Sequence, residues 1–258
     1  MNPWYAIAAI YCVAVISMSA GWWWQRKHQN AGIVDVIWTA GIAGSAIILA
    51  LLLDGAVVPR VCLGVLGGLW GLRLALHLAQ RVAHEPEDGR YRQLRLRWNS
   101  HQGKFFLLFQ FQAVLIVLFS LPFIAVASNP ATAVTPWTLV GLCIWVGGVA
   151  GESIADRQLA RFRADPRHKG LTCRSGLWRY SRHPNYFFEW LHWFTYVALA
   201  VGSALVWLSF CGPIVMYVFL RWISGIPFTE AQALRSRGED YRQYQKETSM
   251  LLPWFPRS

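Results

Sequence analysis

The chain has 258 residues, a formal net charge of +11, 55% hydrophobic residues and a mean hydropathy of +0.32. The apolar residues fall in long runs that leave no soluble domain to present a nucleic-acid-reading surface, so the basic charge does not point to DNA or RNA. The scattered cysteines Cys12, Cys62, Cys143, Cys173 and Cys211 form no CxxC pair and no Cys/His cluster, which argues against a disulfide framework or a metal site and leaves them as small apolar helix residues.

Apolar runs lie at residues 3–24, 32–53, 59–81, 104–128, 136–160, 186–203 and 204–224. A helix rises about 1.5 Å per residue and a bilayer core is about 30 Å thick, so runs of this length suit lipid. The first run has no Lys or Arg between Met1 and Ser19, and so lacks the basic start of a signal peptide. It ends in Trp22–Trp24 and Arg26-Lys27, the pattern of an aromatic belt followed by a cytoplasmic anchor. The last two runs are separated only at Gly202-Ser203. A polar, helix-forming segment follows from Glu230 to Glu247, then Leu251-Leu252-Pro253-Trp254. Without repeats or linkers, residues 1–258 read as one transmembrane domain with a polar cytoplasmic segment from about residue 229.

The basic residues alternate between connections. Residues 25–31 hold Arg26 and Lys27, residues 82–104 hold five basic residues, residues 157–182 hold eight, and the tail from 221 holds six. The intervening connections hold Arg60 alone. The positive-inside rule then predicts an all-α polytopic membrane protein with seven transmembrane helices, its amino terminus outside and its carboxyl terminus cytoplasmic.

Ionisable and amide residues inside spans are costly and mark candidate sites. They are Asp35 in the second span, Arg73, His77 and Arg81 on one face of the third, Gln110 and Gln112 in the fourth, Glu152 and Asp156 in the fifth, and Asn185, Glu189 and His192 in the sixth. Several lie toward the basic ends of their helices, which suggests a polar cavity open to the cytoplasm. The bland alternative is hydrogen bonding between helices. Arg157, Arg161, Arg163, Arg167, Lys169, Arg174, Arg179 and Arg182 crowd one loop. They suit either anionic headgroups or a polyphosphate ligand, since Arg matches phosphate oxygens with a planar fork. No GxGxxG or GxxxxGK motif occurs, so neither a Rossmann nor a P-loop site is indicated.

The segment from Gly176 to Glu189, reading Gly-Leu-Trp-Arg-Tyr-Ser-Arg-His-Pro-Asn-Tyr-Phe-Phe-Glu, resembles a stretch shared by several membrane enzymes. With Gly238–Ser249 and Leu252–Pro256 it resembles the carboxyl-terminal domain of the steroid 5α-reductase family. Asp35-Val-Ile-Trp38 and Trp70-Gly-Leu-Arg-Leu74 resemble motifs of its bacterial, DUF1295-like branch. The Arg-His-Pro-x-Tyr motif and the terminal Tyr-x-x-Tyr also occur in isoprenylcysteine and phospholipid methyltransferases, which use S-adenosylmethionine.

The reductase resemblance implies NADPH bound at the cytoplasmic side of a bacterial inner-membrane protein. It implies Arg81, Asp156, Arg163, Arg174, Arg179, Asn185, Glu189 and Tyr241 as cofactor-binding residues and a lipid-soluble, steroid-like substrate drawn from membrane lipid. One departure concerns the Tyr that animal steroid reductases carry next to the His of the third span, since this chain reads His77-Leu78. The implied reaction is reduction of a carbon–carbon double bond conjugated to a ketone, as in a 3-oxo-Δ4 steroid. Asp35 or His77 is the expected group at the ketone, with Asp35 able to donate only if burial away from cations keeps it protonated. The polar segment 230–247 is read either as a cover over the nucleotide or as a helix on the membrane surface. A methyltransferase and a non-enzymatic transporter or structural component are the alternatives, and no internal repeat of the kind common in transporters is found.

Overall fold

The structure, a computed structural model, describes residues 2–257. It is helical throughout, with no strand among the described residues. Six helical stretches there are long and apolar enough to cross a membrane. Five are continuous: α1 (Pro3–His28), α2 (Ile33–Leu52), α3 (Val57–His84), α5 (Gln102–Ala127) and α6 (Pro136–Ala164). A short helix, α4 (Gly89–Arg97), lies between α3 and α5.

The sixth stretch, Val206–Arg237, is interrupted. It comprises α9 (Val206–Ser209), α10 (Cys211–Val218), a π turn at Phe219–Ile223 and α11 (Ile226–Arg237). The expected span 186–203 is also broken, into α7 (Pro184–His192) and α8 (Phe194–Ala200), which part at the buried Trp193. Their nine and seven residues reach about 14 and 11 Å, each less than half the apolar thickness. The polar segment from Glu230 is likewise two helices, the end of α11 and then α12 (Glu239–Glu247), which meet at Gly238 with φ +55°.

The chain forms two compact units, Met1–Thr138 with Tyr196–Gly212, and Leu139–Thr195 with Pro213–Ser258. In the first, α2 lies between α3 and α5, and α1 packs on α2 and α5. The α2–α3 seam is built from small residues. A Cβ added at Gly64, Gly67 or Gly71 would lie 3.3, 2.7 or 2.5 Å from the Cβ of Ala50, Ala46 or Ala43. Bare backbone on one helix and methyls on the other allow the axes to close, as van der Waals packing in lipid requires. At the basic end of α1, Lys27 Nζ lies 3.9 Å from the Trp23 ring and the Arg26 guanidinium 5.0 Å from that of Trp22.

Gly71→Leu is expected to cost about 1–3 kcal/mol by overpacking this seam. Gly44→Leu, where an added Cβ meets nothing within 4 Å, is the neutral control. Thermal unfolding in mild detergent checks both, and equal midpoints for the two variants would contradict the seam.

Candidate functional site

In the first unit the charged residues gather where α2 begins and α3 ends. Asp88 caps α4 by accepting from the Arg90 backbone N–H at 2.9 Å, which sets the direction of the helix. Arg90 then bridges two carboxylates, with Nε 3.0 Å from Asp88 Oδ1 and a terminal nitrogen 3.1 Å from Asp35 Oδ2. Tyr91, 6% exposed, donates its phenol O–H to Asp35 Oδ1 at 2.6 Å. Asp35 occupies the first turn of α2, where the helix dipole favours a negative charge.

The loop around this cluster is tied down separately. Arg95 pairs with Glu87 at 2.6 Å and donates to Gln25 Oε1 at 3.2 Å, and Glu87 also accepts from the Ala31 backbone N–H at 2.8 Å. Arg81 pairs with Glu85 and Asp88 at 3.3 and 3.6 Å.

Burial raises the Tyr91 phenol well above its ordinary range, and the Asp35 charge adds to this against the opposing pull of Arg90. The phenol therefore stays protonated. Burial works against the charge on Asp88, yet the neighbouring Arg90 and its hydrogen bonds hold the carboxyl below the usual range.

This geometry corrects one expectation. Asp35 is not remote from cations, because Arg90 lies 3.1 Å away, and both of its oxygens act as acceptors. His77 is exposed on α3. Gln110 follows the bland reading, donating from α5 to Ser19 Oγ on α1 at 3.1 Å.

In the second unit, Asn185 at the start of α7 donates to Asp156 Oδ1 on α6 at 3.1 Å, which brings two of the expected cofactor residues together. Glu189, one turn along α7, accepts from the Trp193 indole at 3.3 Å. Of the eight cations of the loop, Arg157 donates to Ser153 O at 3.1 Å and the other seven divide into two groups. Arg174 is bound to Asp240 and Glu247 at 3.0 and 3.3 Å, Arg182 to Glu230 at 2.7 Å, and Arg167 to Asp165 at 2.6 Å. Arg161, Arg163, Lys169 and Arg179 are exposed and have no acidic partner among the described residues, and Arg163 lies within electrostatic reach of Arg237.

Glu230 on α11 organises the docking of the polar tail. Its Oε1 accepts from Arg182, and His183 Nε2 and the Tyr241 hydroxyl lie 3.3 and 3.4 Å from the same oxygen. Its Oε2 accepts from Gln245 at 2.9 Å. Burial lowers the affinity of His183 for a proton despite the nearby carboxylate. Arg182 also donates to the carbonyls of Gln245 and Thr248, and the Tyr244 hydroxyl donates to those of Trp178 and Ser181. Tyr241, 3% exposed, packs on Tyr244 and Ala233, so the structure places it in the core of this dock and not on a ligand surface.

Tyr91, Arg90 and Glu230 were not singled out from sequence. The first two carried a signal, since Asp88-Gly-Arg-Tyr is a plausible helix cap within the loop 82–104. Nothing local announces that Glu230 would meet Arg182, 48 residues away.

These features define a polytopic helical membrane protein with ordered charged clusters at the ends of its apolar helices. The chain belongs to the DUF1295 family, described as a protein of unknown function, whose model matches residues 21–248. No curated protein and no solved structure matches it.

With side-chain exposures of 11% for Arg182 and 17% for Glu230, removing one partner leaves a charge uncompensated in a mostly dry site. Glu230→Ala is expected to destabilise the tail dock by about 3–5 kcal/mol. The readouts are a lower unfolding midpoint and faster tryptic cleavage at Arg235, Arg237 and Arg242. Unchanged cleavage would show that Glu230 does not hold the tail.

Proposed function

We propose that this protein is a membrane-embedded, NADPH-dependent reductase that saturates a double bond conjugated to a ketone in a lipid-soluble, steroid-like substrate. The observation that carries this reading is the phenol of Tyr91, buried, protonated and held by the carboxylate of Asp35. It supplies the neutral hydrogen-bond donor that the sequence lacked beside His77.

The chain's residues suit the cofactor. Arg161, Arg163, Lys169 and Arg179 are exposed cations without acidic partners among the described residues and would take the phosphates. The Asp156–Asn185 pair offers both acceptor and donor atoms for ribose or carboxamide groups. Arg174 and Tyr241 support this surface from beneath, through the tail dock. NADPH, when bound, supplies hydride to the β-carbon of the substrate.

As negative charge grows on the ketone oxygen, Tyr91 shifts its O–H hydrogen bond from Asp35 to that oxygen. Asp35, left with Arg90 as its partner, keeps its place and holds the phenol oriented. Preorganised donors of this kind act strongly where water is excluded. The α-carbon of the resulting enolate then takes one proton from solvent, which restores the ketone and completes the reduction.

The topology that accompanies this reading has seven crossings, with α7 and α8 together forming an interrupted one. The amino terminus lies outside, and the loops 82–104 and 157–182 and the tail are cytoplasmic. In a bacterium that membrane is the inner one. The counts of basic residues support this orientation.

A ligand at about 100 times its dissociation constant stabilises by about 2.7 kcal/mol. Purified protein in mild detergent is therefore expected to gain thermal stability with NADPH, and not with NADH or S-adenosylmethionine. Stabilisation by S-adenosylmethionine alone would replace the reductase with a methyltransferase. Tyr91→Phe is expected to lower kcat on 3-oxo-Δ4 steroids by about 10²–10³-fold, the usual cost of one oxyanion donor, while leaving the NADPH shift intact. Full activity in that variant would remove Tyr91 from the reaction.

A further inference from the structure

The carboxyl-terminal residues after α12 form an extended strap that the tail dock does not explain. Its backbone is fixed at four points. Arg182 N–H donates to Ser249 O at 2.8 Å, Ser181 Oγ to Leu251 O at 2.8 Å, Trp254 N–H to Tyr180 O at 2.9 Å, and Arg257 N–H to Glu247 O at 2.8 Å. Leu251 alone turns inward, at 3% exposure.

Leu252, Trp254 and Phe255 are exposed at 56%, 70% and 74%, and the Phe255 ring meets that of Tyr180 edge-on at its rim. Three large apolar side chains held outward by an ordered backbone form a built surface. A strap that merely closed the fold would turn them in, or would present polar residues instead.

The surroundings of the strap are basic. Lys246 and Arg257 are exposed beside the groove that Trp254 and Phe255 line, and Arg179 is exposed next to Tyr180. The nearest carboxylate, Glu247, is already engaged by Arg174 and Gln243. The strap hangs from residues 180–182, just before α7 opens at Pro184, and the ends of apolar membrane helices are the level at which headgroups begin. Trp and Phe with Lys and Arg are the residues that settle at that level, and the cations complement anionic lipid.

We propose that the strap Ser249–Arg257 is an interfacial anchor. Leu252, Trp254 and Phe255 insert among the headgroups of an anionic leaflet, and Lys246 and Arg257 contact lipid phosphate. The anchor fixes the depth of the tail dock relative to the bilayer surface. It requires only that the chain is a membrane protein and does not depend on the reductase reading.

The test uses the full chain reconstituted in two kinds of vesicle, phosphatidylcholine alone and phosphatidylcholine with phosphatidylglycerol at about three to one. Each contains a trace of phospholipid carrying a diazirine near its headgroup, and cross-linked peptides are mapped by mass spectrometry. Labelling is expected on residues 249–257 in both, rising with phosphatidylglycerol by up to about fivefold for each cation in contact. Lys246→Gln with Arg257→Gln is expected to remove that rise while leaving basal labelling. Trp254→Ser with Phe255→Ser is expected to abolish labelling of the strap while α6, whose exposed Leu139 and Val146 serve as the internal control, is still labelled. An unlabelled strap beside a labelled α6 would overturn the proposal. So would a benzoylphenylalanine at position 255 that cross-links a second copy of the chain in place of lipid.

Discussion

Inside hydrocarbon every backbone N–H and C=O must find its partner within the protein, and the fold follows from that requirement. Continuous helices such as α2 and α5 meet it alone. The chain from Pro184 onward does not stay helical, and side chains take over there. The Asn129 amide donates to the carbonyls of Leu199 and Val201 at 2.8 and 3.0 Å, where α8 ends, and its oxygen accepts from Ala131 N–H at 3.1 Å. The Trp190 indole donates to Pro213 O at 3.0 Å. Ser203 Oγ accepts from Leu205 N–H at 3.2 Å in the turn before α9. Broken helices survive at membrane depth only with such partners, and polar groups placed to satisfy backbone are also available for chemistry.

The basic residues, which composition presents as one block of charge, carry separate tasks. Arg26 and Lys27 sit on tryptophan rings at the end of the first span, which is a matter of depth and topology. Arg90, Arg95, Arg174 and Arg182 are consumed by carboxylates and carbonyls that pin α4 and the tail. Exposed cations such as Arg161, Arg163 and Lys246 keep their charge for an anion. An excess of cations in a loop thus overstates the charge a ligand would meet, because the half-buried members are already neutralised by partners that the folded chain supplies.

What could be read in the sequence follows from the range of the forces involved. Hydropathy over about 18 residues and the alternation of basic loops are local, and they located the five continuous spans to within a few residues. The interruption at Trp193 was not legible, because both sides of it are equally apolar and the break depends on tertiary partners. The pairing of Asp156 with Asn185 joined two residues already marked by their polarity, so the structure added only their distance. The meeting of Asp35 with Tyr91, 56 positions apart, had no such mark. A tyrosine in a basic loop looks like any solvated aromatic until the cap at Asp88 turns it toward α2. Glu230 shows the same limit, since one acid in a charged tail gives no sign that it will hold an arginine, a histidine and a tyrosine.

In the reductase proposed above, the Asp35–Tyr91 pair gives a physical reason to use two groups in place of one acid. A lone carboxylic acid can donate to a ketone only in its neutral form, and a nearby cation such as Arg90 works against that form. A phenol with its pKa raised by burial is neutral at any physiological pH, so the donor does not depend on a delicate balance. What the phenol lacks is orientation, because its O–H rotates freely. Asp35 supplies that by accepting the phenol's hydrogen bond at 2.6 Å, and Arg90 supplies a partner for the carboxylate once the phenol turns to another acceptor. Each group covers the weakness of the next, and the cost of burying an aspartate in the first turn of an apolar helix is met by the same two side chains that put it to use.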